Sequence, residues 1–183
     1  MNNYLRWGSG DVMKPTTADI IDSIIWSLDT YVAPEVQAPF ASSVLLTVGN
    51  LLRHVKLRAQ QEVGLLAEDN ADLVAVLAGC VKSLAADPAL GESLQSSLSV
   101  VSTTLEQQPG EASSSDSVEH LSDVSDVLRQ VLDDLIRALG AVAPALQSHE
   151  HYVETRQRIR DYLARQLKRE GSLITPAFTG GRR

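Results

Sequence analysis

The sequence predicts an all-α protein, an antiparallel helical bundle of about five to six helices with no sheet. Apolar residues recur at steps of three and four through most of the chain, the spacing that builds one face of a helix. Alternation at period two, the mark of a half-buried strand, is absent over any useful length. Proline, glycine and polar clusters cut the periodic stretches into helix-length pieces. At 183 residues and 44% hydrophobic content, the chain is long enough for one domain with a real core. The expected organisation is a leader over 1–15, a single helical-bundle domain over 16–171 and a tail over 172–183.

The first helix is expected over about 17–32, behind a Thr16 or Thr17 cap with Asp19 in its first turn. Ile20, Ile21, Ile24, Ile25, Leu28, Tyr31 and Val32 share one broad arc, and Pro34 stops the helix. A second helix starts near Ala38–Pro39, where a first-turn proline loses nothing, and runs to about Leu66. Its apolar stripe is Val44, Val48, Leu51, Leu52, Val55, Ala59, Val63 and Leu66. A third helix follows an Asp69 or Asn70 cap and is apolar almost all round, so it belongs at the centre. Leu90, Leu94, Leu98, Val101 and Leu105 predict a fourth, and "QQPGEASSSDS" (107–117) reads as the longest loop. A fifth begins at Asp116, with Glu119 completing a capping box, and ends at Gly140 and Pro144. The last spans about 148–170 and ends at Gly171.

Composition narrows the function classes. A net charge of −7 disfavours general nucleic-acid and anionic-membrane binding, and 4% aromatics disfavours base-stacking platforms. Residues 149–183 run against the trend, with eight of the sixteen Lys+Arg and four of the twenty-three Asp+Glu. That end is basic and suits an acidic partner. Cys80, the only cysteine, lies in the apolar run "LVAVLAGCVKSL" and reads as a small buried hydrophobe. "MNNYLRWGSGDVMKP" lacks the apolar core of a signal peptide, so a cytoplasmic location is expected.

Five side chains stand out as candidate binding residues: Trp26, Asn50, His54, Arg156 and Arg160. Trp26 turns away from the isoleucine face of its helix, between Asp22, Asp29 and Thr30, and suits an anchor at a protein interface. Asn50 and His54 form a polar flank in "GNLLRHVKLRAQQE", more fitting for a packed helix side or a partner contact than for a reactive centre. On the last helix Tyr152, Ile159, Leu163 and Leu167 define the expected inner face. Arg156 falls among them and Arg160 at the edge. A guanidinium held there calls for a carboxylate, and Glu62 is the expected structural partner of Arg156. His149 and His151 face different directions on a helix, and no Glu-x-x-His occurs, so no metal site and no cofactor is expected.

Three segments carry a family resemblance: "KPTTADIIDSI", "VGNLLRHV" around Asn50, and "RDYLA" at Arg160–Ala164. Together they resemble a group of small all-α bacterial proteins of unassigned function that accompany phosphotransferase-like proteins and acyl-CoA dehydrogenases. Tyr162 stands where that family's closing motif has a lysine. The resemblance implies an accessory role and supplies no catalytic residue. The functional expectation is a non-catalytic interaction protein that binds a partner protein, such as one of those two enzyme types, or a second copy of itself. The alternative is a carboxylate- or phosphate-binding protein or enzyme with a pocket between the second and last helices, using Asn50, His54, Arg156 and Arg160.

Overall fold

A computed structural model describes residues 15–107 and 117–174. All the regular structure among them is helical, as the periodicity requires: α1 (Thr17–Ser27), a π-helical turn (Leu28–Val32), a 3₁₀ turn (Ala33–Glu35), α2 (Pro39–Ala86), α3 (Pro88–Ser93), α4 (Gln95–Gln107), α5 (Val118–Leu146) and α6 (Glu150–Ile174). Two compact units divide the chain between Gln60 and Gln61. The expected leader and the core of the expected loop lie outside the described residues, apart from their edges.

In the first unit, α1 starts with the expected capping box. Thr16 Oγ1 accepts from the Asp19 N–H at 3.2 Å, and the Asp19 carboxylate accepts from the Thr16 N–H at 2.9 Å. These bonds, the Thr16 side chain foremost, hold the Asp19 carboxyl below its ordinary range. The helix does not reach residue 32 as an α-helix. It widens first, the Ala33 N–H donating five residues back to the Leu28 carbonyl, and a 3₁₀ turn carries Pro34. The first part of α2 returns antiparallel to α1, with Lys56 Nζ donating to Asp22 at 2.6 Å and Arg53 3.8 Å from Asp29.

The greatest departure from the expected elements is α2 itself. The break expected at Asp69–Asn70 does not occur, and one helix of 48 residues replaces the second and third. Asp and Asn end helices when their side chains turn back on local backbone. Here both are engaged elsewhere in the second unit. Asp69 accepts from α5 and α6 side chains, and Asn70 Nδ2 donates to the Leu121 carbonyl at 2.8 Å. No proline lies nearby and Gly64 keeps a helical backbone, so nothing remains to stop the helix.

The second unit holds the main core. Leu73, Val76, Leu77, Cys80 and Leu84 of α2 pack with Leu90, Leu94, Leu98 and Val101, with Leu128, Val131, Leu132, Leu135 and Leu139 of α5, and with Tyr152, Ile159 and Tyr162 of α6. Cys80 is buried as expected, and burial pushes its thiol up to about 11. The expected fourth helix is split into α3 and α4 at Leu94, yet its leucines stay on the buried side. Asp87 caps α3, its Oδ1 accepting from the Ala89 and Leu90 N–H groups, with Pro88 in the first turn. The cap of α5 is Ser117, whose Oγ accepts from the His120 N–H, rather than Asp116. That helix passes Gly140 and Pro144, because a proline this near the end removes a single hydrogen bond. Likewise α6 passes Gly171 and ends at Ile174, beyond the expected start of the tail.

Candidate functional site

Among the described residues of the first unit, only Ile21 and Gly49 are buried. At about 100° per residue, Ile21, Ile25 and Leu28 of α1 face α2, while Ile20, Ile24 and Tyr31 form a separate arc roughly 100° away. On α2, Leu45, Gly49, Leu52 and Lys56 face α1, while Phe40, Val44, Val48, Leu51 and Val55 lie together about 120° away. Both apolar arcs precede the contact arc in the sense in which sequence winds round each helix. For antiparallel helices an offset of the same sign means the same side. The hairpin therefore has one apolar side, with Phe40 82%, Leu51 53% and Val55 51% exposed. A shallow groove of about 440 Å³ runs along it on α1, lined by Pro15, Asp19, Ile20, Ser23, Ile24, Ser27 and Leu28. The expected second-helix stripe is real, but Val44, Val48, Leu51 and Val55 are solvent-exposed instead of core.

Trp26 is 56% exposed and so points outward as its helix position demands. Round α1 it lies roughly 120° from Ile20 and roughly 160° from Ile24. Tyr31 joins the two regions, its ring meeting Trp26 edge-to-face at 5.3 Å and 90°. The π turn favours this pairing, because it brings residues five apart towards one another. Asn50 and His54 are half-buried and engaged within α2. Asn50 Oδ1 accepts from Arg53 Nη1 at 3.2 Å, and His54 Nε2 accepts from Arg58 Nε at 3.2 Å. A histidine nitrogen that accepts from a guanidinium is less available as a general base.

In the second unit Arg156 is half-buried and Arg160 exposed. The guanidinium of Arg156 donates to Tyr152 Oη at 3.3 Å, one turn back, and lies 6.0 Å from that ring's centroid. The inner face of α6 differs from the expected one. Tyr152, Thr155, Ile159, Tyr162 and Leu173 are buried, whereas Leu163 and Leu167 are exposed. The true stripe admits the Tyr162 hydroxyl because α2 presents the Asp69 carboxylate to it. Arg169 donates to Glu68 at 3.1 Å, to Asp69 at 3.1 Å and to Asp72 at 2.7 Å. Arg165 forms a two-pronged bond to Asp72 at 2.8 and 2.9 Å, while Arg129 of α5 and Tyr162 Oη both donate to buried Asp69. Arg165 first, then Arg169, hold the Asp72 carboxyl below the usual value near 3.8. Burial, then the Asp69 charge, push the Tyr162 hydroxyl up to about 12. This network fastens α2, α5 and α6 to one another. Sequence reasoning missed it, although "EDNAD" and the arginines of α6 contain its signal: acids and bases on two helices at matching helical spacing.

Ser83, His151 and Glu154 also gather in the second unit, in a combination that invites a catalytic reading. Ser83 Oγ lies 3.1 Å from His151 Nδ1 and donates to Glu154 Oε2 at 2.8 Å. A nucleophile must pass its proton to the imidazole; here the proton is held by the carboxylate and the serine is buried. Ser83 first, with Arg158, keeps the Glu154 carboxyl below its ordinary range. The trio is a tie between α2 and α6. Among the described residues no group of three or more His, Cys, Asp or Glu is placed to hold a metal ion, and no helix is long and apolar enough to cross a membrane. No protein-family model matches the chain, and no curated protein or solved structure matches it significantly.

Proposed function

We propose that the chain is a non-catalytic accessory protein that works by binding another protein, or a second copy of itself, through its first unit. The observation that carries this reading is the solvent-facing apolar side of the α1–α2 hairpin, in a unit whose described residues include two buried ones. A helix pair that buries so little does not account for its own order. Exposed apolar surface of that extent is characteristic of interaction sites. The alternative of a reaction centre has less support, since in the Ser83–His151–Glu154 grouping the serine is buried and its hydroxyl is committed to Glu154. An enzyme partner of the phosphotransferase-like or acyl-CoA dehydrogenase kind remains the partner class that the sequence resemblance suggests.

Trp26 tests the reading. With more than half its surface in water, its loss removes little folding energy, so Trp26→Ala leaves the melting temperature nearly unchanged. The same substitution weakens association, because it removes the aromatic edge that adjoins the apolar side through Tyr31. Association is read as the mass of the assembly that the tagged full chain forms in host extract. A lowered melting temperature with unchanged assembly contradicts the proposal.

A further inference from the structure

Resting on that reading, we infer that the occupant of the apolar side is a second copy of this chain, the two α1–α2 hairpins closing into an intermolecular four-helix bundle. Area is the first argument. The eight large apolar side chains of the two arcs, each about two-fifths to four-fifths exposed, present roughly 800–900 Å². An interface that covered most of it would be comparable with one partner's share, about 800 Å², of a standard-size stable interface. A flat two-helix layer with one apolar side is half of a four-helix bundle, and an identical layer completes it through a two-fold axis.

Charge is the second argument, and it selects self-pairing in one arrangement. Residues 17–35 carry Asp19, Asp22, Asp29 and Glu35 and no Lys or Arg. Residues 36–60 carry Arg53, Lys56 and Arg58 and no Asp or Glu. Within one copy, opposite signs already meet at Asp22–Lys56 and Asp29–Arg53. Those two pairs lie away from the apolar side, which carries Asp19 in the α1 groove and Arg58 beside Phe40 and Leu51 on α2; stacking α1 over the other copy's α2 sets these two opposite signs along one seam. Stacking α1 over α1 sets acid against acid and base against base, which disfavours that alternative.

The test places a photo-reactive benzophenone amino acid at position 51 of the full chain, irradiates the purified protein and maps the products by mass spectrometry. The expected product joins position 51 to α1 or α2 of another copy, shown by mixing isotope-labelled and unlabelled chains. In the full chain, Leu51→Asp with Val55→Asp raises the dissociation constant of the dimer by a factor of about 30 or more. The helical circular dichroism stays intact, because both positions are exposed. Cross-links confined to one chain, including residues 1–14, overturn self-pairing. If position 51 in host extract then reaches a different protein, self-pairing falls and the interaction reading stands. If it reaches nothing, both fall.

Discussion

Arg169 reaches carboxylates at three positions of α2, Glu68, Asp69 and Asp72. Removing it leaves Asp69, which is 7% exposed, with Arg129 and Tyr162 and without its third partner. Arg169→Ala is therefore expected to lower the stability of the second unit by about 1–3 kcal/mol in chemical denaturation. Arg169→Lys recovers only part of the loss, because an ammonium cannot fork across three carboxylates. Equal stability of all three proteins would contradict this role. The Asp72 carboxyl has its pKa depressed on folding, so its contribution is fully present above about pH 4 and fades as pH falls through the lower folded value. Asp72→Asn should then cost stability at neutral pH and flatten the stability–pH curve on its acid side. An unchanged acid limb would show that Arg165 and Arg169 do not hold this charge. At this scale the sequence was only partly legible. The outward Trp26 and buried Cys80 follow from position alone. Arg169 did not, because a charged residue on a helix reads as solvated until the acids opposite it are located.

The elements were more legible than their ends. Periodicity places every helical stretch, since three- and four-residue steps survive any exchange of polar neighbours. Stops are decided by what side chains do in three dimensions. Asp69 and Asn70 have the chemistry of caps, and tertiary bonds to Arg129, Arg169 and the Leu121 carbonyl take them out of that role. The continuous α2 predicts unbroken amide-exchange protection through residues 66–72, where a capped break would leave fast-exchanging amides. Asn70→Ala should cost about 1 kcal/mol through the lost bond to Leu121 without opening the helix. Rapid exchange at Asp69 and Asn70 in the unaltered chain would contradict the single helix. The same reasoning explains α6. Its inner face was misread at Leu163 and Leu167 because apolar character was weighed ahead of the polar partners waiting on α2.

At the scale of the whole molecule, the two units stand in contrast. The second has a core shared by five helical segments, closed by an acid–arginine network. The first has Ile21 and Gly49 inside and its aliphatic stripe in water. Periodicity revealed that stripe, since Val44, Val48, Leu51 and Val55 are spaced as a face must be. It did not reveal whether the face is covered within one chain or between chains, because both uses demand the same spacing. The direct measurement is sedimentation equilibrium of the unaltered full chain over a wide range of protein concentration. The expected result is a species of twice 19.8 kDa that dissociates on dilution and is weakened by Leu51→Asp. A mass of 19.8 kDa at every concentration would contradict a self-paired first unit.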